Sequence, residues 1–217
     1  MRLRVTLRDS PHTLDSPWLV DSELRRLKSF ASAKRRQQFL TGRWLLRELL
    51  AAESGGVLEA QVAEIDVEGR THLALGHANV SHSGDWCGAV SAARAIGVDL
   101  EVLRPRADLI GLAQEVCSPT QCEALAALED EARLPQFYRL WTLKEAWLKA
   151  RGRGLDMACM RGLEFESCPA DEADSCSALL PRAGLMLSLH TQAIEPSGLP
   201  AELADEAVAW EFFRSVS

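Results

Sequence analysis

The sequence lacks the features that mark several large classes of protein. It carries 24 Lys and Arg against 31 Asp and Glu, a formal net charge of -7, whereas a general nucleic-acid binder needs an excess of cations to displace counterions. No apolar run approaches the roughly 20 residues that a membrane-spanning helix needs. The first residues alternate charged and apolar side chains and contain no hydrophobic signal-peptide core. We therefore expect a cytoplasmic protein that binds neither nucleic acid nor membrane.

Cysteine motifs and nucleotide-binding loops are missing as well. Six cysteines are present, but no two have the C-x-x-C spacing of a zinc or redox site. We expect free thiols in a reducing cytosol. There is no Walker-type glycine loop and no phosphatase motif. With 47% hydrophobic and 25% charged residues among 217, the composition is that of a globular protein of one large domain or two small packed ones.

Hydrophobic periodicity predicts a mixture of helices and strands. Leu3, Val5 and Leu7 share one strand face, opposite a charged row that ends at Arg8. A helical pattern follows from about Asp21 to Leu50, with Ser32 as a candidate N-cap within it. The other predicted elements are, in chain order, a strand over Ala63–Val67, a turn over Glu68–Arg70, a loop that feeds a strand over Asn79–Ser91, a partner strand over Ile96–Leu103, helix up to about Arg151, an exposed acidic loop over Cys168–Cys176, and closing strands over Leu185–His190 and Ala207–Phe213.

A break after Leu103 divides the chain into two candidate halves. The stretch Leu103-Arg-Pro-Arg-Ala ends the preceding strand, since proline cannot continue it. We predict an N-terminal half over residues 1–103 and a C-terminal half over residues 104–217.

Two acids lie on the strand that precedes this break. In Ile96-Gly-Val-Asp-Leu-Glu-Val the apolar residues point to one face, and Gly97, Asp99 and Glu101 point to the other. Two carboxylates on one strand face repel each other, and a shared cation such as magnesium relieves that repulsion. The alternative is the polar outer face of a half-buried strand.

A second concentration of charge lies on the helix predicted over Phe137–Ala150. Glu145 falls at the edge of a broad apolar arc, with Lys149 one turn further on. Glu145 could serve as a third metal ligand or as a base, and Lys149 could neutralise a phosphate or a leaving group. The alternative is an ordinary surface ion pair. Lys144 lies inside the apolar arc, so it must snorkel, pair with an acid or line a cavity.

Cations elsewhere could hold an anion. Arg36, Arg43 and Arg47 share one helix face, and three arginines could clamp phosphates bidentately. His82, in the loop Asn79-Val-Ser-His-Ser-Gly, could donate to a phosphate. Both groups could equally be solvated surface residues.

The order of these segments resembles one enzyme family. Asn79-Val-Ser-His-Ser-Gly, Ile96-Gly-Val-Asp-Leu-Glu, Trp141-Thr-Leu-Lys-Glu-Ala-Trp-Leu-Lys and Gly152-Arg-Gly-Leu follow one another as in the 4′-phosphopantetheinyl transferases, and the surfactin-type branch is the most similar. The resemblance covers about residues 33–155. It implies an α+β fold with a pseudo-twofold pair of similar α/β subdomains, and an active site in the cleft between them. It also implies a monomer.

The resemblance implies a metal centre and a reaction. Asp99, Glu101 and Glu145 match the family's ligands for Mg²⁺. The serine of an apo-carrier protein (acyl, peptidyl or polyketide) would attack coenzyme A, and adenosine 3′,5′-bisphosphate would leave. Glu145 or a water would take the serine proton, and Lys149 would assist the leaving group. Asp99, Glu145 and Lys149 are thus the expected catalytic residues.

The cofactor contacts follow in the same way. Ser81 and His82 match residues that contact coenzyme A, with His82 on the side of the 3′-phosphate. Lys149 matches a lysine near the phosphates, Arg43 an arginine at the nucleotide end, and Gly69-Arg70 the family's G-[KR]-P segment. Asp99 and Glu145 also approach the cofactor.

Two departures and three rival functions accompany this hypothesis. Thr71 replaces the usual proline after Arg70, and Asp85 stands where relatives often have a basic residue.

A non-catalytic binder of coenzyme A or of carriers would have the same fold without turnover. A magnesium-dependent phosphohydrolase would need only the carboxylates, and a structural helical partner would need only the acidic, soluble composition.

Overall fold

Strands and helices occupy both predicted halves of the chain. The computed structural model describes residues 1–7, 18–56, 64–66, 70–74 and 76–216. The helices are α1 Asp21–Ser29, α2 Ala33–Ser54, α3 Leu109–Val116, α4 Pro119–Ala126, α5 Asp130–Ala150 and α6 Met157–Gly162. The strands are β1 Arg2–Leu7, β2 Glu64–Ile65, β3 Thr71–His72, β4 His77–Ser83, β5 Trp86–Ala92, β6 Ile96–Val102, β7 Glu164–Ser167, β8 Ser175–Leu180, β9 Leu185–Thr191, β10 Glu202–Leu203, β11 Glu206–Ala207 and β12 Glu211–Val216.

Two antiparallel sheets form the framework. The first has three strands in the order β1-β5-β4, and the second has five in the order β6-β9-β8-β12-β7. β6 pairs with β9 in a register that places Asp99 opposite Ser188. The mixture of helix and antiparallel sheet confirms the α+β class. The predicted junction falls just after β6, whose ladder partner comes from the C-terminal half.

Helix α5 is the long helix that covers the five-stranded sheet. Phe137, Leu143 and Leu148 are buried on its inner face, as the apolar arc predicts. Lys144 is also fully buried and takes none of the three routes expected from the sequence. Its ammonium donates to the carbonyl oxygens of Met160 at 2.5 Å and Leu163 at 2.6 Å. These are backbone groups at the C-terminal end of α6, where helical partners are lacking, so Lys144 ties α6 to α5.

Most of the predicted elements are confirmed, and three are wrong in part. In the stretch Asn79–Ser91, the part predicted as a loop belongs to β4, and a tight turn joins it to β5, the strand that the loop was expected to feed. Cys176 is fully buried in β8 rather than in an exposed loop. The strand predicted over Ala207–Phe213 is divided between β11 and β12. Ser32 occupies the N-cap of α2, although its side chain makes no capping hydrogen bond.

Some predicted positions fall outside the described residues, namely Arg8, Ala63 and the three residues 67–69, which include Gly69. No helix in the described part of the chain is long and apolar enough to cross a membrane.

Candidate active site

The site begins at a seam between the two sheets. Alternate amides of β6 donate to side chains of β4: Val98 to Asn79 Oδ1 at 3.2 Å, Leu100 to Ser81 Oγ at 3.4 Å and Val102 to Ser83 Oγ at 3.1 Å. Side chains two residues apart on a strand share a face, so the three polar side chains of the Asn-x-Ser-x-Ser pattern all contact the backbone of β6. This contact places Ser81 beside Asp99.

Asp99, Ser81 and Lys149 form the centre of the site. Asp99 Oδ1 accepts from Ser81 Oγ at 2.8 Å and from Lys149 Nζ at 2.6 Å, and Lys149 Nζ is also 2.9 Å from Ser81 Oγ. The Asp99 residue is only 4% exposed. Its second oxygen, Oδ2, is buried without a hydrogen-bond partner among the described residues. A buried anionic oxygen without a partner is costly, so this position is suited to a cation.

Glu101 and Glu145 surround the same centre. Glu101 Oε2 accepts from Ser83 Oγ at 2.5 Å. Burial raises the pKa of Glu101, and the negative charge of Asp99 raises it further. Burial also raises the pKa of Glu145, with Lys149 opposing and Asp99 adding to the effect. Within the described residues no three potential ligands converge on one point.

Gly97 brings the helix that carries Glu145 and Lys149 onto β6. A Cβ atom at position 97 would lie 2.0 Å from the carbonyl oxygen of Ala146 and 2.6 Å from the amide nitrogen of Ala150. Such contacts with backbone atoms cannot be relieved by side-chain movement, so only glycine lets α5 approach this closely. The close approach holds Lys149 within hydrogen-bonding distance of Asp99.

A cationic pocket opens from Lys149. Its volume is about 840 Å³, within the range of small-molecule sites. No Asp or Glu lines it within the described part of the chain. The lining residues with cationic or titratable basic groups are Arg26, Arg35, Arg43, Arg70, His72, His77, His82, Lys149 and Arg153. Such a wall is suited to a ligand with several negative charges.

His82 lies in this wall as an uncharged ring. Arg35 Nη1 is 2.9 Å from His82 Nε2, and an arginine can only donate. Burial, together with the charges of Arg35 and Lys149, lowers the pKa of His82 to about 4. The sequence indicated His82 but not Arg35, because His82 lies on β4 and Arg35 on α2.

The arginine stripe of α2 does not form a three-residue clamp. Arg47 is fully buried and donates to Glu23 through both terminal nitrogens, at 2.9 and 2.6 Å. Arg43 donates from Nε to Glu23 at 2.5 Å. Arg36 donates to the carbonyl oxygens of Phe30 and Ala31. Of the three, only Arg43 lines the pocket.

Arg70 lies at the opposite wall of the pocket. Its Nε donates to Asp66 Oδ2 at 2.7 Å, and His72 Nε2 is 2.8 Å from the same oxygen. Thr71, in place of the family's proline, accepts a hydrogen bond from Arg43 Nη1 at 2.8 Å. The departure therefore adds a contact that proline could not make. Sequence reasoning missed Arg26, Arg35, His72 and His77, because only the folded chain brings these segments together.

The comparisons with known proteins agree with this geometry. The sequence profile described as the 4′-phosphopantetheinyl transferase superfamily matches residues 95–204, which contain β6 and α5. The chain is 37% identical to the 4′-phosphopantetheinyl transferase HetI of Nostoc sp. over 165 residues, 71% of this chain and 68% of that protein. The chain belongs to the 4′-phosphopantetheinyl transferase superfamily.

Other relatives extend this assignment along the chain. The 4′-phosphopantetheinyl transferase ffp of Bacillus subtilis is 26% identical over 202 residues, 84% of this chain and 85% of that protein. The 4′-phosphopantetheinyl transferase AcpT of Escherichia coli is 41% identical over 75 residues, 34% of this chain and 38% of that protein. As a member of this superfamily, the chain transfers the phosphopantetheine moiety of coenzyme A to a serine of a carrier protein.

Proposed function

We propose that this phosphopantetheinyl transferase holds coenzyme A in the cationic pocket and depends on magnesium bound beside Asp99. The observation that carries the proposal is the buried, unpartnered Oδ2 of Asp99, next to two further acids and at the end of a pocket lined by cations. The pocket is suited to the three phosphate groups of coenzyme A, and the acids are suited to a hard divalent cation.

The donor set fits magnesium. Asp99, Glu101 and Glu145 supply carboxylate oxygens, the ligand type that magnesium prefers. The pKa values of Glu101 and Glu145 are raised from their ordinary value by burial and by the charge of Asp99, and a cation among them would relieve that repulsion. When bound, magnesium would neutralise pyrophosphate charge and orient the reacting phosphorus.

The chain's own residues supply the proton transfers. Glu145 accepts the proton of the carrier serine as the serine oxygen attacks the β-phosphorus of coenzyme A. A new phosphorus–oxygen bond forms to the serine, and the bond to the bridging oxygen breaks. Adenosine 3′,5′-bisphosphate leaves with the bridging oxygen, whose charge Lys149 stabilises. Asp99 and Ser81 hold the Lys149 ammonium in place, as their 2.6 and 2.9 Å contacts support.

Arg43, Arg70 and His82 are the proposed contacts for the nucleotide end of coenzyme A. All three line the pocket, as does Lys149. Because Asp66 and Glu23 hold the two arginine side chains, the cationic wall is organised before the cofactor arrives, which lowers the cost of binding.

The remaining expectations belong to the same proposal. The halves over residues 1–103 and 104–217 form a pseudo-twofold pair, and the cofactor lies between them. The enzyme is a cytoplasmic monomer that modifies acyl, peptidyl or polyketide carriers. The contact of Lys149 on α5, in the second half, with Asp99 on β6, in the first, supports a site shared between halves.

The test is to incubate the protein with coenzyme A, magnesium and an apo-carrier protein, and to weigh the carrier by mass spectrometry. We expect a gain of one phosphopantetheine, lost when magnesium is chelated and restored when it is added back. No gain with acyl, peptidyl or polyketide carriers, by a protein that still binds coenzyme A, would favour a non-catalytic binder. Cleavage of coenzyme A without a carrier would favour a phosphohydrolase.

A further inference from the structure

A buried histidine lies beneath the end of the helix that carries Lys149. His190, in β9, is only 3% exposed and pairs in register with Gly97 of β6. Gly97 is the residue on which the last turns of α5 rest. The centroids of the His190 and Trp147 rings are 6.2 Å apart. His190 therefore lies against the final turns of α5, outside the group of residues assigned to the reaction.

His190 links a cation to an anion through three hydrogen bonds. Arg151 Nη1 lies 2.8 Å from His190 Nε2. Since arginine can only donate, Nε2 is an acceptor and the ring proton is on Nδ1. Nδ1 donates to Ser175 Oγ at 2.8 Å, and Ser175 Oγ donates to Asp174 Oδ1 at 2.8 Å. All donors and acceptors along this chain of contacts are matched.

Asp174 is itself anchored to the last strand of the sheet. Its Oδ1 accepts from the Ser215 amide at 3.0 Å, and its Oδ2 accepts from Ser215 Oγ at 2.5 Å. The network thus runs from the end of α5, through β9 and β8, to β12. The order of Ser, His and Asp does not make it a hydrolytic triad. Ser175 is fully buried, and Arg151 occupies the second ring nitrogen of His190.

The histidine is neutral within this network. Burial lowers the pKa of His190, Arg151 lowers it further, and Asp174 opposes both. A neutral ring can accept from Arg151 and donate to Ser175 at once, whereas a charged ring would have no acceptor to offer.

Arg151 connects the network to the pocket. It is the first residue after α5, and its guanidinium carbon lies 3.5 Å from the centroid of the Trp147 ring. The three residues that follow, 152–154, line the pocket. Gly152 has a φ of +63° and packs against the side chain of Arg70. Arg151 lies two residues beyond Lys149. When its side chain is held in place, the adjoining residues 152–154 are held too, and they form the wall of the pocket that faces Arg70.

We propose that His190 is a positioning residue for coenzyme A, which it serves by holding Arg151 and thereby the 152–154 wall of the pocket. This inference rests on the proposed function, in which the pocket binds coenzyme A. His190 touches neither the cofactor nor the carrier, so its loss acts on cofactor binding more than on the chemical step.

The test compares matched variants by kinetics and by calorimetric binding of coenzyme A. His190→Leu removes both hydrogen bonds, and His190→Gln keeps an acceptor for Arg151 and a donor for Ser175. Ser188→Ala is the control, because Ser188 lies on the same strand and face as His190, and its side chain bonds Thr142 at 2.7 Å and Ser177 at 3.0 Å, neither of which is among the described lining residues of the pocket. Thermal unfolding of each variant measures stability separately.

We expect His190→Leu to raise the KM and the Kd for coenzyme A roughly tenfold, since a hydrogen bond to a charged group is lost. The kcat and the KM for the carrier should change less than about threefold. His190→Gln should restore most of the affinity, and Ser188→Ala should leave it unchanged. An unchanged Kd in folded His190→Leu overturns the proposal, as does an equal loss in His190→Gln or in Ser188→Ala.

Two further measurements keep the inference testable. If His190→Leu does not fold, Ser175→Ala releases the ring on its Nδ1 side with a smaller change of volume, and a Kd equal to that of the wild type then overturns the proposal. If the wild type binds coenzyme A but transfers nothing, the reaction assignment fails, and the Kd comparison still decides the role of His190. If the wild type does not bind coenzyme A, both fail.

Discussion

Two clusters of buried charge differ in how completely their anions are partnered. In the first, Glu23 is fully buried and accepts from Arg43, Arg47 and the Val20 amide through both of its oxygens. In the second, Asp99 is buried with two acids nearby and a single lysine, and its Oδ2 has no partner within the described residues. Both oxygens of the anion in the first cluster are therefore satisfied, whereas the anion of the second provides a place for a further cation.

The difference separates a structural role from a catalytic one. A buried ion pair with every oxygen satisfied holds its neighbours in place, and breaking it leaves a buried charge uncompensated. A cluster with excess negative charge carries a repulsion that the fold tolerates, because a ligand relieves it. Removing an acid from the first cluster should therefore cost stability, and removing one from the second should cost activity.

The largest effect is expected from Asp99→Asn. The side chain keeps its shape but loses the charge that bonds Lys149 and is suited to magnesium, so transfer should fall by at least about 1000-fold. Carrier modification measured by mass spectrometry and urea unfolding of the same sample check this. Stability should change by less than about 1 kcal/mol, because the repulsion with Glu101 is relieved. Normal turnover by the folded variant would show that Asp99 holds no essential cation.

The opposite result is expected from Glu23→Gln. Two buried arginines would face an uncharged partner, so the free energy of unfolding should fall by about 3 kcal/mol or more. Urea denaturation monitored by circular dichroism measures this change. The folded fraction should lose less than tenfold in kcat, since Glu23 does not reach the reacting atoms. A variant as stable as the wild type would contradict a structural role for the first cluster.

A smaller effect is expected at the lysine of the second cluster. Lys149→Ala removes the cation that lies 2.6 Å from Asp99 Oδ1, and kcat should fall about 100-fold as the leaving group loses its stabilisation. Steady-state kinetics at saturating coenzyme A measure this change. Lys149→Arg should recover part of the rate, because it restores the charge in a different shape. Full activity of the alanine variant would remove Lys149 from the mechanism.

The smallest effect is a pH dependence of stability. Burial lowers the folded-state pKa of His190 below the ordinary value of 6.5, so the unfolded chain binds a proton before the folded chain does as the pH falls. The histidine therefore contributes stability that is complete above pH 6.5 and declines below it. The difference in unfolding free energy between the wild type and His190→Gln should shrink between pH 7 and pH 5. A difference that stays constant over this range would contradict a neutral, buried His190.

Local sequence patterns predicted the candidate site best on β6 and α5, the two elements that carry its carboxylates. Alternation in residues 96–102 placed Asp99 and Glu101 on one face, and helical periodicity placed Glu145 beside Lys149, since both patterns depend only on local geometry. The composition of the Asn-x-Ser-x-Ser segment predicts a loop, because Ser and Asn have little preference for strands. In the structure the segment pairs with β5 as strand β4, and its side chains accept from the amides of β6, a contact between sheets that no local pattern reveals.

The hydrogen-bond partners of buried charged side chains could not be predicted from the sequence either. Lys144 was recognised as unusual within an apolar arc, but its carbonyl partners lie on α6 and beyond. The arginine stripe of α2 is typical of an anion-binding surface. The sequence does not show that Glu23 of α1, a neighbouring helix, forms an ion pair with Arg47. In both cases the burial was decided by tertiary packing rather than by propensity.

The seam between β4 and β6 also has a consequence for the order in which the enzyme is made. The sheet of β1, β5 and β4 is complete once the ribosome has passed Ala92. β6 follows at once, but its ladder partner β9 is not synthesised until Leu185–Thr191. In the interval the hydroxyl and amide side chains of β4 are available to the amides of β6. We expect a nascent chain stopped before β9 to hold β6 loosely, so that Asp99 meets Lys149 stably only after β9 has been synthesised.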